Sequence, residues 1–311
     1  MSPTSQAFSL LRTARQTNCL PAARRQKENW RLWVAALGAW VVLAASPTAS
    51  TARPAPPGKK LIEYGWDVPT PAQMREELAT MEKRPFDGLI FRLNGGHNAF
   101  VTKPLEPARF AEDERILRRL PFTRFTDNFV LIWGSPPAGF DWFDETQWRA
   151  IEANAKLLVG IAQAGRVRGI CFDPEPYDFS LWDYVRAYHA MRQRARGLVP
   201  PELREKYERQ VQAGQALYVD PNFALRQPKT EQYLSYRMMP EERARWFEHN
   251  TYWALYTTDE YVWCYSERMN WWKDQTPPGL EAAIVSARQK IAEGKPLGFD
   301  LEPLIEAAGK R

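Results

Sequence analysis

The sequence is poor in the side chains that most often bind metals or form redox centres. It has three histidines and three cysteines in 311 residues, without a CxxC pair or a His/Cys cluster. Zinc sites need such ligands at short spacings, so we expect neither a metal nor another cofactor. Cys171 and Cys264 lie in apolar runs, where a buried free thiol is common. A disulfide between them would require neighbouring strands.

The chain also lacks excess charge outside its first 52 residues. The formal net charge is +5, and residues 1–52 alone carry six basic residues against Glu28, which leaves the remainder with a net charge of zero. Nucleic-acid-binding domains usually present a basic face. We therefore expect no nucleic-acid partner.

The first 59 residues are predicted to be a targeting segment and a linker. Basic residues up to Arg31 precede the apolar run LWVAALGAWVVLAA at 32–45, which has the length of a signal-peptide core and is short for a membrane span. Residues 1–52 are therefore interpreted as a signal peptide or an N-terminal anchor, and the proline-rich residues 53–59 as a linker. We expect export to the periplasm or beyond, with no other membrane contact.

No glycine-rich GxGxxG turn follows the first strand-like run, which argues against a dinucleotide-binding fold. Instead, apolar runs alternate with amphipathic segments, as in parallel βαβ units. Strands are predicted at 60–69, 87–94, 128–137, 167–175, 214–220 and 260–267. Helices are predicted to begin at Thr70, Asp144 and Ser180, each followed by a capping partner three residues later. Residues 60–311 are thus expected to form one α/β domain, a TIM barrel with about six of its eight strands recognisable and a thin second half.

In a parallel barrel, chemistry occurs at the carboxyl ends of the strands, and here these ends carry carboxylates and aromatic rings. Aromatic faces stack on sugar rings, while carboxylates and amides bind hydroxyls, so a carbohydrate substrate is expected. The candidate binding residues are Trp66, Asp67, Arg92, Asn94, Trp133, Tyr177, Trp263 and Tyr265. A tryptophan in a strand is more often part of the core, and Arg92 with Asn94 fits a buried polar network as well.

The stretch FDPEPY, residues 172–177, supplies the first catalytic candidates. A residue before proline is forced into extended geometry, so Asp173 and Glu175 are predicted to face the same side. Two adjacent carboxylates raise the pKa of one of them, and a protonated carboxyl is what a glycosidase uses to protonate the leaving oxygen. The structural alternative is a helix cap or a partner for a basic side chain.

The last predicted strand supplies the second carboxylate. Alternation along YVWCYSE places Trp263, Tyr265 and Glu267 on one face and Cys264 on the other. Glu267 is therefore the candidate nucleophile or second carboxylate. Its structural alternative is a salt bridge with Arg268 or another cation.

The motif GICFDPEPY resembles the fourth-strand signature DxxDxDxE of the chitinase-like, family 18 glycoside hydrolases. The resemblance gives Asp173 the role of steadying the substrate and Glu175 that of proton donor. Arg168 and Cys171 stand where the first two aspartates are expected. With YGWDVP at 64–69 and YVWCYSERMNWW at 261–272, the chain resembles more closely a secreted bacterial group of glycoside-hydrolase-like TIM barrels, over most of residues 60–273.

The leading hypothesis is an exported, monomeric glycoside hydrolase with Glu175 as general acid/base, Glu267 as second carboxylate and Asp173 tuning Glu175. The second is a barrel that binds carbohydrate without hydrolysing it, because the region around 195–215 is short. A third is a metal-dependent hydrolase using Asp173, Glu175 and His97, against which the absence of paired histidines counts.

Overall fold

The computed structural model describes residues 58–141, 143–171, 181–226 and 233–311. Its centre is a parallel six-stranded sheet in the order β4-β3-β2-β1-β6-β5. The strands are β1 (Lys60–Gly65), β2 (Gly88–Phe91), β3 (Asn128–Leu131), β4 (Val167–Cys171), β5 (Gln215–Tyr218) and β6 (Tyr261–Ser266). All six strands predicted from the sequence are present, and the α/β class is confirmed.

Helices connect these parallel strands. They are α1 (Pro71–Met81), α2 (Ala111–Leu117), α3 (Glu145–Ala162), α4 (Leu181–His189), α5 (Ala195–Leu198), α6 (Arg204–Gln210), α7 (Val219–Asn222), α8 (Pro240–Thr257), α9 (Leu280–Ala292) and α10 (Glu302–Gly309). A π-helical turn, Ala190–Arg194, joins α4 to α5. None of the described helices is both long enough and apolar enough to cross a membrane.

Two of the predicted helix starts are confirmed by their capping bonds. The Thr70 hydroxyl accepts the backbone N–H of Gln73, and the Gln73 side chain accepts the backbone N–H of Thr70, which is the reciprocal capping box. Asp144 accepts the backbone N–H groups of Thr146 and Gln147 at the start of α3. The third predicted cap, Ser180, lies outside the described residues.

The two faces of the sheet bury different clusters. The face that packs on the helices carries Leu61, Leu89 and Val262 and belongs to the main hydrophobic core. The opposite face, here called the inner face, carries a smaller cluster in which Ile62, Ile90, Leu131 and Val68 are buried, with aromatic rings packed around them. Cys264 points to the helix side and is a buried free thiol, as expected.

The inner face is strongly concave. Strands β3 and β6 are three positions apart in the sheet, which would separate them by about 14 Å if the sheet were flat. Yet the rings of Phe129 in β3 and Tyr261 in β6 lie 5.0 Å apart, and the Tyr261 hydroxyl donates to Asp127 at 3.0 Å. Side chains from these strands meet across the inner face only because the sheet curls around them.

Candidate functional site

The carboxyl ends of β5, β1 and β6 bring a carboxylate and several aromatic side chains together on the inner face. In the strand register, Tyr64 and Tyr218 both lie beside Tyr265, and the Tyr265 ring centroid is 5.0 Å from that of Tyr64 and 5.2 Å from that of Tyr218. Glu267 follows two residues after Tyr265. The row of tyrosines therefore forms a floor beneath the Glu267 carboxylate.

Glu267 is held by a hydroxyl and a cation. The Tyr265 hydroxyl donates to Glu267 Oε1 at 3.2 Å, and Arg226 Nη2 lies 3.6 Å from Glu267 Oε2. The same guanidinium donates to the Tyr218 hydroxyl at 2.5 Å. The predicted structural alternative for Glu267, a salt bridge, is present, but its partner is Arg226 rather than Arg268.

The Tyr218 hydroxyl remains protonated at neutral pH and is therefore a donor. Burial raises the pKa of Tyr218 well above its ordinary value, and the negative charges of Asp220 and Glu267 raise it further. A neutral phenol that accepts from Arg226 still has its own proton to donate. Tyr218 and Tyr265 thus supply two hydroxyls in the immediate surroundings of Glu267.

Trp66 lies at the edge of this group and presents most of its ring to solvent. Its side chain is 77% exposed, and its indole N–H donates to the Tyr265 hydroxyl at 3.0 Å. Burial in the core, which is the commoner role of a strand tryptophan, is therefore wrong for Trp66. A fixed and exposed indole next to a carboxylate is a stacking surface for an apolar ring face.

A second group lies at the ends of β2 and β3. The rings of His97 and Trp133 are in edge-to-face contact with centroids 4.7 Å apart, and 51% of the Trp133 side chain is exposed. Burial and the charge of Arg92 lower the pKa of His97. Arg92 and Asn94 are both exposed at the end of β2, so a buried network of these two side chains is wrong.

Two acids, the buried Asp220 and the half-buried Asp67, bond the chain that follows β6. Asp220 accepts the Ser266 hydroxyl at 2.8 Å and the backbone N–H of Glu267 at 3.0 Å. Asp67 accepts the backbone N–H of Trp271 at 2.8 Å, and its carbonyl accepts the Trp272 indole N–H at 3.2 Å. Asp67 was predicted as a substrate ligand, but its carboxylate is directed at the protein backbone.

The remaining predicted residues are distributed unevenly. Trp263 packs into the aromatic cluster of the inner face, two register positions before the tyrosine row. Asp173, Glu175 and Tyr177 lie outside the described residues. Within the described ranges, no group of three or more His, Cys, Asp or Glu side chains is arranged to hold a metal ion.

Sequence reasoning missed four residues of this site: Tyr64, Tyr218, Asp220 and Arg226. Tyr218 and Asp220 had a usable signal, because the strand-like run GQALYVD ends in an aromatic and an acid as the other strands do. Arg226 had none, since it lies in a loop eight residues beyond the end of its strand. Comparison of the chain with protein-family models, with curated proteins and with solved structures finds no match.

Proposed function

We propose that this protein is an exported glycoside hydrolase built on a TIM barrel, with Glu267 as one of its two working carboxylates. The observation that carries the proposal is the position of Glu267. It lies at the carboxyl end of a parallel strand, bonded by Tyr265 and approached by Arg226, next to the exposed indole of Trp66.

The strand order supports the barrel. Reading from β5 to β6 and then from β1 to β4, the strands follow one another around the sheet in chain order without a reversal. An open doubly wound sheet reverses its order at a switch point, whereas a barrel places its last strand beside its first. The concave inner face, with Tyr261 touching Phe129, fits the same closure. The seam would lie between β4 and β5.

The chemistry of the site supports sugar hydrolysis. Glycosidases use two carboxyl groups, one to protonate the leaving oxygen and one to attack the sugar or activate water. The Arg226 cation near Oε2 and the Tyr265 hydroxyl on Oε1 hold the Glu267 carboxylate in one orientation. Glu175, four positions after the end of β4 in the sequence, is the proposed acid, and Asp173 is the acid that tunes it. A separation of about 5 Å between the two carboxyls would give retention and a larger one inversion.

The test is a hydrolysis screen with two glutamine variants and a matched control. Purified protein is incubated with a panel of aryl glycosides and polysaccharides, and the released aglycone or reducing sugar is measured. Glu267→Gln and Glu175→Gln are expected to lose turnover. Glu260→Gln is the control, because Glu260 lies just before the opposite end of the same strand, where its carboxylate accepts from Gln212 and is remote from the tyrosine row. Unchanged turnover in both site variants would refute the proposal.

One observation favours a second function, sugar binding without hydrolysis. Both oxygens of Glu267 are already engaged by protein groups, which suits a structural ion pair as well as a catalytic carboxylate. A barrel that only binds would retain ligands on a glycan array, lose them in Trp66→Ala and release no product on long incubation. Hydrolysis that disappears in Glu267→Gln while binding persists would exclude this alternative.

A further inference from the structure

Glu63 is an unusual residue for the centre of a strand. It lies in β1 on the side that packs against the helices, with none of its surface exposed. Its register neighbours are Leu89 in β2 and Cys264 in β6. No N–H or other donor of the described residues bonds either of its carboxyl oxygens. A charged and unpaired carboxylate in such a position is strongly unfavourable.

The acid that acts on Glu63 is Asp67. The two carboxyls can approach each other because Gly65 has no side chain. A Cβ added to Gly65 would lie 2.5 Å from Asp67 Oδ1 and 3.4 Å from Glu63 Oε1. Both oxygens therefore occupy the space beside the glycine that any other residue would fill. Asp67 Oδ1 also has no donor among the described residues. The Glu63 and Asp67 carboxyls act on one another electrostatically, and two carboxyls can form a hydrogen bond only if one of them carries a proton.

Within the part of the chain that the structure describes, the groups that act on Glu63 are its apolar surroundings and Asp67, and they include no compensating cation. The Cys264 thiol of β6 lies in the same group, because Glu63, Asp220 of α7 and Asp67 all act on it. Helix α1 contributes Met74, Leu78 and Met81 to the adjoining core. The turn Trp271–Lys273 is followed by Asp274, whose carboxylate is ion-paired with Arg84. None of these groups neutralises a second negative charge, so one of the two carboxyls must be protonated.

We infer that the Glu63 carboxyl stays protonated at neutral pH and donates a hydrogen bond to Asp67 Oδ1. We further infer that this pair positions the segment Glu267–Trp272 at the candidate site. Asp67 then bonds in two directions: Oδ1 accepts from Glu63, while Oδ2 accepts the backbone N–H of Trp271 at 2.8 Å. The proton lies on Glu63 because Glu63 is the more deeply buried acid and Asp67 already receives a backbone donor. The positioning of the candidate site rests on the proposed function, whereas the hydrogen bond between Glu63 and Asp67 does not.

The pair predicts a definite sign for the pH dependence of stability. Burial raises the pKa of Glu63 well above its ordinary value, and the neighbouring Asp67 adds to this. A carboxyl whose pKa is higher in the folded state contributes its stability fully below the unfolded-state pKa, and that contribution is lost as the pH rises towards the folded-state pKa. The equilibrium constant for unfolding should therefore increase by up to about tenfold per pH unit between pH 5 and the pH at which Glu63 ionises.

Glu63→Gln tests the inference, because a carboxamide donates the same bond to Asp67 but has no proton to lose. Urea unfolding of the full-length chain is measured from pH 5 to pH 9, for the wild type, Glu63→Gln, Glu63→Ala and the control Glu260→Gln, whose half-buried side chain lies at the opposite end of β6. The free energy of unfolding of the wild type and of the control should fall as the pH rises. Glu63→Gln should remove that slope and exceed the stability of Glu63→Ala at every pH.

A direct measurement complements the variants. The carbon-13 shift of the Glu63 side-chain carboxyl should remain that of a protonated acid at pH 7. An ordinary titration near pH 4.5, a Glu63→Gln variant as weak as Glu63→Ala, or a stoichiometric cation whose chelation alone destabilises the wild type would each overturn the inference. None of these readouts uses a sugar, so a failure of the proposed hydrolase function leaves the result interpretable. If hydrolysis is found, Glu63→Gln should retain the wild-type kcat/KM and Glu63→Ala should not.

Discussion

Gly65→Ala perturbs the point at which β1, β6 and the buried acids meet. The new Cβ would stand 2.5 Å from Asp67 Oδ1 and 2.7 Å from the backbone carbonyl oxygen of Ser266. Both distances are shorter than carbon and oxygen tolerate, and the Ser266 carbonyl is fixed by accepting the backbone N–H of Trp66. Inserting a methyl group into a closely packed site costs about 1–3 kcal/mol. We expect Gly65→Ala to lower the free energy of unfolding by that amount.

Gly160→Ala is the matched control for this prediction. Gly160 lies inside helix α3, and nothing stands within 4 Å of an added Cβ. Alanine is favoured over glycine in a helix interior by about 1 kcal/mol, so the same chemical change should stabilise the protein here. For a domain of this size, about 1 kcal/mol corresponds to a shift in the midpoint of thermal unfolding of roughly 2–4 °C.

The assay is urea unfolding monitored by tryptophan fluorescence and circular dichroism. Midpoints can be compared if the free energy of unfolding falls with urea concentration at the same slope in each variant. The wild-type midpoint should lie between a lower one for Gly65→Ala and a higher one for Gly160→Ala. A Gly65→Ala variant as stable as the wild type would show that the carboxyl groups of this region are not packed as described. The close approach of Asp67 Oδ1 to Gly65 would then be refuted as well.

Three further predictions concern separate parts of the molecule. Trp66→Ala should weaken sugar binding by about 2- to 12-fold, the loss of one stacking surface worth about 0.5–1.5 kcal/mol, as measured by calorimetry. The unfolding midpoint should stay unchanged because the ring is exposed. Asp220→Ala leaves the Ser266 hydroxyl and the Glu267 N–H without their acceptor, and should cost about 1–3 kcal/mol for each donor; an unchanged urea midpoint would contradict that network. Burial opposes ionisation of Asp127, but hydrogen bonds, one of them from Tyr261, lower its pKa below the ordinary value. Its contribution to stability is therefore lost as the pH falls, and acid unfolding of Tyr261→Phe should begin at a higher pH than that of the wild type, with no shift expected if the bond is absent.

The sequence was a good guide to the strands because their signals are local. Each strand is a short apolar run whose ends are marked by turn residues or helix caps, such as Thr70 after β1 and Asp144 before α3. Alternation also placed Tyr265 and Glu267 on the same face and Cys264 on the other. These features depend only on the period of the strand and on capping chemistry, so they can be predicted without knowing the fold.

The candidate site could not be predicted in full, because it is built from contacts between residues far apart in the sequence. Asp67 bonds Trp271 across 204 positions of the chain, and Arg226 reaches Glu267 from a loop. Glu63 lies within an apolar run and gives no sign in the sequence that it meets a second acid. Helices α9 and α10 follow the last strand and were not predicted. The sequence left two roles open for Trp66, a stacking surface and a core residue, because a strand tryptophan is usually buried and only its position at the strand end decides between them.

The central claim, that Glu267 is a working carboxylate, is tested most directly by one rate ratio. On the best aryl glycoside of the panel, initial hydrolysis rates are compared for the wild type, Glu267→Ala and Glu260→Ala, with azide added as a small external nucleophile. Removing a catalytic carboxylate costs about 10²–10⁴-fold, so Glu267→Ala should fall by that factor, regain activity with azide and yield a glycosyl azide. Glu260→Ala should keep the wild-type rate. A Glu267→Ala rate within a few-fold of Glu260→Ala, with no effect of azide, would contradict the claim.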